Sequence, residues 1–461
     1  MTTEEETQPP VDQPLPVRTK LGYALGDHSI NLALFSLLLL FPAFLTEVAG
    51  LRPALAGLVP LIGRFVDAVS DPAMGRLSDA TSWRAGRRRP FFLIGMVPFG
   101  VAYGALWWAI PEDGAYGPFA YYTAAYVLFS LSSTVIAVPY LALIPELTSS
   151  YDERTSINAY RGALAILGAL LAAGALPGLV QTFGGGAAGY QRMGLVAGLY
   201  VALPWLCVYA VTWERKSFQR PPQLDFLPSL LSLVRHRSYA ILTGLYLLGR
   251  IAIDMTSSMF ILYFTYHLRR REDFGMALIL FLAVVAISMP IWARIARHTD
   301  KRVIFLFGAV SWVGSQTFLF LATPEWPRWV VFFGSALGGI GYAAADMIPW
   351  SMLGEVVDED ELQTGERREG LYFGLFTFLR KLGGALGVAG AFAVLDLAGY
   401  SGGQPVAEAP VGWIVAFTAV VPGIFVMLAG LVALRYPLGR AEHAQILRAL
   451  AARKQLHSEG C

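Results

Sequence analysis

The chain has 461 residues, of which 55% are hydrophobic and 15% charged. Soluble domains carry about a quarter charged residues, so this composition excludes an ordinary soluble globule and places most of the chain in lipid. The net charge of +2 gives no sign of a nucleic-acid partner, and two cysteines, Cys207 and Cys461, make no disulfide framework.

In chain order, residues 1–20 are acidic and then proline-rich, and are expected to form a disordered cytoplasmic tail. They lack the basic stretch and small-residue cleavage site of a signal peptide. A membrane span needs about 20 mostly apolar residues. Six such stretches follow at 21–48, 54–79, 90–111, 118–146, 156–183 and 190–213. After a polar linker, 214–237, six more lie at 238–268, 274–296, 302–323, 328–356, 367–398 and 410–436, before a second cytoplasmic tail, 437–461. Lipid offers no partner for open backbone groups, so these runs are helices. The sequence therefore predicts an all-α membrane protein with twelve transmembrane helices in two six-helix halves, 21–213 and 238–436. With both termini in the cytoplasm, Lys and Arg divide 23 inside to 6 outside, counting Arg435 with the tail. Such a bias fixes orientation; the Arg269–Arg271 cluster is the outer loop that opposes it.

The halves look duplicated. Residues 75–90 after the second span and 293–303 after the eighth each place an acid and a basic cluster at a helix end. Paired halves of this kind, the pattern of the major facilitator fold, suggest a solute site at the midplane between them.

Ionised groups inside a span cost at least about 2.5–3.5 kcal/mol and need a reason. The second span is densest: Arg64, Asp67, Ser70 and Asp71. At about 100° per residue, Asp67 and Asp71 share one face a turn apart. Two such carboxylates repel, so one holds a proton or a cation sits between them. Oxygen ligands suit a hard cation, Na⁺, and the same pair serves H⁺. The alternative is a buried ion pair with Arg64 that locks the helix. Arg161, Arg380 and Lys381 are further deep cations. Lys381 could neutralise the second-span acids when the cation is absent, or contact substrate. Arg250 and Asp254 are spaced for an intrahelical pair, either structural or lining a cavity. Asp346 has no partner nearby in sequence. No phosphate-binding lysine loop and no metal-spaced His/Cys cluster is present, so neither an enzyme nor an ATP-driven pump is expected.

Four stretches carry a resemblance to the glycoside–pentoside–hexuronide:cation symporters, the family of the melibiose permease. They are Tyr23 to Asp27 with Asn31; Arg64 to Gly75 with Asp79 and Gly86 to Pro90; Val138 to Tyr140 with Pro145, Arg154 and Arg161; and Pro349 to Leu353 with Val357 to Asp360, leading to Lys381. The resemblance spans roughly 18–400. It implies a cation site at Asp67, Ser70, Asp71 and Thr134, with Arg64 and Lys381 coupling it to transport. Asp27, Asn31, Tyr140, Arg161, Asp254, Asp346 and Trp350 would serve the substrate. Ser70 stands where the sugar symporters often carry Asn. The helix-1 acid, the helix-4 acid and the helix-4 tryptophan of melibiose-type members correspond here to Asn31, Ala137 and Leu141, and losing two carboxylates and an aromatic platform weakens the case for a galactoside.

The resemblance implies a Na⁺- or H⁺-coupled symporter of a glycoside or related hydroxylated solute. It would act as a monomer in the cell (inner) membrane, without cofactor beyond the coupling ion. A sodium-dependent lysophospholipid symporter is the alternative, since Ile348 to Leu353 and Asp396 to Tyr400 are similar to that branch and an apolar fourth span suits an acyl chain. An uncoupled receptor or scramblase would need no carboxylate pair.

Overall fold

The computed structural model describes residues 14–81, 83, 86–110, 116–148, 151–214, 236–296, 298–365 and 368–459. Most of the expected N-terminal tail and of the polar linker lies outside these residues. The chain divides into two units, Met1–Pro222 with Tyr400–Pro405, and Gln223–Gly399 with Val406–Cys461.

In the first unit, α1 (Val17–Leu39) and α2 (Phe41–Glu47) meet at a 41° bend where one span was expected. Pro42 causes it: in the second position of α2 it has no N–H to continue the ladder. Then come α3 (Pro53–Ala80), α4 (Pro90–Leu106) and α5 (Gly117–Leu147), each opened by a proline in its first turn. Next, α6 (Tyr151–Leu170) runs through a π-turn into α7 (Leu176–Thr182), followed by α8 (Gly186–Ala202) and α9 (Pro204–Val211). α1 packs on α6 and α9, α3 on α5, and α4 on α5 and α8. In the second unit, α10 (Arg237–Leu262), α11 (Phe274–Ile295), α12 (Lys301–Leu321), α13 (Arg328–Thr364) and α14 (Glu369–Leu397) precede α15 (Val411–Val415) and α16 (Val421–Ala433). A last helix, α17 (Arg440–Glu459), packs on α13. α10 packs on α14 and α16, while α13 packs on α11 and α12.

Among the described residues ten helices are long and apolar enough to cross a membrane, or eleven with the bent α1–α2 pair as one span. The remaining expected span, 90–111, is represented by α4, whose 17 residues stop at Leu106. Apolarity continues through Trp107 and Trp108, but the backbone leaves the helix at Trp107 (φ −96°, ψ 9°), whose ring is buried against Phe41, Phe44 and Tyr190. α13, by contrast, runs eight residues past its expected end at 356, because the polar turns from Val357 to Thr364 stay helical.

Small residues set the closest crossing. A Cβ on Gly100 or on Gly198 would lie 2.6 Å from the other's carbonyl oxygen, so α4 and α8 touch backbone to backbone. Gly198→Val is therefore expected to destabilise the protein by about 1–3 kcal/mol or more, the usual cost of overpacking. Thermal unfolding of the detergent-purified variant would show it, and an unchanged midpoint would contradict the close crossing.

Two polar clamps complete the first unit. After α3, the Glu214 carboxylate accepts the backbone N–H groups of Arg87 (2.7 Å), Arg88 (2.8 Å) and Arg89 (2.8 Å). Gly86 allows this, with φ +116° and no side chain to strike Glu214. Glu146, beyond the apolar part of α5, binds the guanidinium groups of Arg87 and Arg88 at 2.6 Å each, and Arg88 also reaches Asp79 at 2.7 Å. Burial pushes the Glu146 carboxyl above its usual range, against the pull of Arg88 and Arg87. At the other end of the unit, Tyr400 donates its hydroxyl to Glu47 Oε1, and the Gly403 N–H donates to Glu47 Oε2 at 3.1 Å. Gly402 presses on the Thr46 carbonyl, where a Cβ would stand 1.7 Å away.

Candidate cation and substrate sites

Helical phasing brings the acids of α3 against the hydroxyls of α5. Asp67 and Asp71 are one turn apart on α3; Ser130 and Thr134 are one turn apart on α5. Ser130 Oγ donates to Asp67 Oδ1, and Thr134 Oγ1 donates to Asp71 Oδ1 at 2.7 Å. Ser70 Oγ lies 3.3 Å from Thr134 Oγ1. Arg64 Nη1 donates to Asp67 Oδ2 at 3.0 Å, one turn away. Asp67 is 6% exposed, a depth at which its charge requires partners. All four residues expected at a cation site thus lie in one α3–α5 seam, together with Ser130. The donor set is two carboxylates and three hydroxyls, the oxygen chemistry of a hard monovalent cation.

A second cluster joins α1, α5 and α6. Arg161 on α6 binds Asp27 of α1 with two hydrogen bonds, Nε to Oδ2 at 2.5 Å and Nη2 to Oδ1 at 3.1 Å. Tyr140 donates to Asp27 Oδ2 at 2.6 Å. Its ring stacks on Tyr23 at 4.3 Å and is completely buried. Tyr140 therefore positions Asp27 and presents no surface to a ligand here. Asn31 Nδ2 donates back to the Asp27 carbonyl at 2.8 Å, while Arg161 Nη1 donates to Asn158 Oδ1 at 2.8 Å.

In the second unit, Arg250 of α10 binds Asp254 through Nη2 to Oδ1 at 2.5 Å and Nε to Oδ2 at 3.3 Å. Its Nη1 stands 3.4 Å from Asp346 Oδ1 on α13. Trp350 Nε1 donates to Tyr246 Oη at 2.9 Å. Lys381 and Arg380 are successive residues of α14 in this same unit.

A model of the MFS/sugar transport protein family matches residues 22–440. The chain belongs to that family. Among the relatives, the uncharacterized symporter sll1374 of Synechocystis is 31% identical, with 95% of this chain and 97% of that protein covered. The putative glycoside/cation symporter YagG of Escherichia coli is 28% identical over 90% of this chain and 91% of its own. The sodium-dependent lysophosphatidylcholine symporter 1 of mouse is 26% identical over 98% and 92%. Of solved structures, the nucleoside transporter NupG superposes with a TM-score of 0.63 at 14% identity, covering 91% of this chain and 97% of its own, a likeness of fold alone. The family's members are transporters, in keeping with the expectation that the chain is no enzyme.

Sequence spacing anticipated that the α3 acids share one face and that Arg250 pairs with Asp254. It missed Ser130, whose only signal was its phase with Thr134, and it missed that Arg161 is tied to Asp27. Asp346, without a partner nearby in sequence, has long-range ones in Arg250 and Tyr246.

Proposed function

We propose that this protein carries out Na⁺- or H⁺-coupled symport of a glycoside or related hydroxylated solute by alternating access. It works as a twelve-span monomer of the cell (inner) membrane, both termini in the cytoplasm. The observation that carries the reading is the α3–α5 seam, where two carboxylates a turn apart each meet a hydroxyl of the facing helix. Asp67 and Asp71 take the cation, with Ser70 and Thr134 as hydroxyl ligands. Arg64 neutralises Asp67 when the ion is absent, so both readings of the second span hold at different stages of one cycle. Asp27, Asn31 and Arg161 offer acceptors and donors to the solute. Coupling is by linkage: each ligand raises the other's affinity by the same factor. The symporter names of the relatives support cation coupling, and that of YagG supports a glycoside.

Lysophospholipid symport is the second reading. It is favoured by the lysophosphatidylcholine symporter of mouse and by Leu141, 53% exposed on α5, where an acyl chain could lie. Uptake into proteoliposomes under imposed Na⁺ or H⁺ gradients, with p-nitrophenyl glycosides and lysophosphatidylcholine as solutes, decides between them. Accumulation of neither under either gradient would remove the symport reading. Lys381→Ala is expected to shift the Na⁺ dependence of uptake by about tenfold, the ordinary size of such a coupling. An unchanged Na⁺ titration would take Lys381 out of the coupling machinery.

A further inference from the structure

α13 is longer than a membrane crossing requires. Its 37 residues extend about 55 Å at about 1.5 Å each, against a hydrocarbon core of about 30 Å. Four acids of its last turns each take a base from a different element. Glu355 binds Lys301, the first residue of α12, at 2.9 Å. Asp358 Oδ2 lies 3.0 Å from Nε2 of His443 on α17. Glu359 Oε2 lies 3.4 Å from Nε2 of His236, the residue that opens α10. Asp360 holds Arg368, the residue that opens α14, through Nη2 to Oδ1 at 2.5 Å and Nε to Oδ2 at 3.0 Å.

Lysine and arginine stay charged throughout the range in which histidine gains and loses its proton, about pH 5 to 8. The four contacts therefore divide into two fixed and two titratable ones. The fixed pair joins α13 to the membrane helices α12 and α14. The titratable pair joins it to the tail helix and to the point where the polar stretch 214–237 enters α10. Around His443 stand Asp358 and Glu355 on α13, Lys301 and Asp300 at the start of α12, and Arg440 and Glu442 on α17 itself; Asp300 accepts the Arg440 N–H at 2.9 Å. Around His236 stand Glu359, the Tyr372 ring edge-on at 6.1 Å, the Asp360–Arg368 pair beside Tyr372, and Arg237 next in the chain. Neither ring nitrogen of His236 nor Glu359 Oε2 has a hydrogen bond among the described residues, and all three atoms are buried. A proton on the ring turns that contact into an attraction between opposite charges, whereas its loss leaves buried polar groups unpaired. Ile446 and Leu450 also hold α17, in one apolar cluster with Leu353, Val356 and Val357, so the His443 contact sets how tightly the helix docks rather than whether it docks.

We infer that His443 and His236 make the end of α13 a proton-operated latch, which holds α17 and the start of α10 when the rings are charged and loosens both when they are neutral. The sign follows from the partners. Both are carboxylates, so the contacts are ion pairs at the acid end of the range and are lost as pH rises. The Lys301–Glu355 and Arg368–Asp360 pairs keep α12 and α14 in place through the change. In the orientation proposed above, the latch reads the pH of the cytoplasm. It uses none of the residues assigned to the ion or the solute, so its failure would leave the symport reading untouched.

The test follows amide hydrogen exchange of the full-length protein in lipid nanodiscs at about pH 6 and about pH 8, corrected for the intrinsic pH dependence of exchange. Protection of α17 is expected to fall by about two- to fivefold at the higher pH, the ordinary strength of a partly exposed ion pair. Residues 238–242 at the start of α10 should lose protection likewise. Peptides from α12 and the middle of α13 should hold theirs, and they report that the variants are folded. His443→Gln should give the low α17 value at both pH values, and His443→Arg, charged throughout, should give the high one. His236→Gln should flatten the response at residues 238–242 and leave that of α17. Equal α17 protection at both pH values in the wild type would overturn the latch, as would a His443→Gln variant that keeps the wild-type response. A wild type in which α17 responds and residues 238–242 do not would overturn the part assigned to His236.

Discussion

Asp71→Asn is expected to abolish gradient-driven accumulation while leaving solute exchange across the membrane intact. Asparagine has nearly the same shape and still accepts the Thr134 hydroxyl that now binds at 2.7 Å, so the α3–α5 seam keeps its packing. What is lost is one of two negative charges. A unit charge about 4 Å from a cation is worth on the order of 4 kcal/mol at an effective dielectric near 20, or about a thousandfold in Kd. The protein would then still cycle with solute but no longer with its ion. The check is paired: solute counterflow and Na⁺-driven uptake in the same proteoliposomes. Full accumulation by the variant would mean that the α3 acids serve only to lock the helix.

The second large effect is expected at Arg161. Arg161→Ala would strand the Asp27 carboxylate, whose other side-chain partner is the buried Tyr140 hydroxyl at 2.6 Å. Removing one member of a buried pair costs about 3–5 kcal/mol, because the remaining charge stays uncompensated. Asp27→Asn combined with Arg161→Gln removes both charges and should return most of that stability without restoring transport. The thermal midpoints of Asp27→Asn, of Arg161→Gln and of the two combined form a cycle with the wild type, and coupling of about 0.5–3 kcal/mol is expected for residues in contact. Additive midpoints would show that the pair is not a unit. Arg161→Lys, which cannot span both carboxylate oxygens, should fall between wild type and alanine.

How far the sequence led can be judged from these residues. The acids of α3 were legible because helical periodicity alone puts positions 67 and 71 on one face, and a carboxylate in lipid is conspicuous. Arg250 and Asp254 were legible for the same reason. Ser130 was not, because hydroxyls are tolerated anywhere in a span and α5 carries Ser130, Ser132, Ser133 and Thr134 within five residues. Only the facing acids show which of them matter. Arg161 was recognised as a deep cation, but its partner lies 134 residues away, and no local pattern encodes a pairing at that distance. The extent of α4 was overestimated because hydropathy registers Trp107 as membrane, whereas its bulk is needed in the aromatic cluster that ends the helix. The bend at Pro42 was visible as a residue but not as a consequence, since prolines elsewhere, such as Pro60 and Pro72, sit inside the unbroken α3.

The placement of Tyr400–Pro405 in the first unit has a bearing on any attempt to dissect the molecule. Six residues encoded late in the gene complete a unit encoded at its beginning, bonding to the Glu47 carboxylate and pressing on Thr46. Severing the polypeptide once, between Pro222 and Gln223, cannot release that piece whole. The leading fragment would lack the bonds that Tyr400 and Gly403 make to Glu47, and the trailing fragment would carry away the strip that makes them.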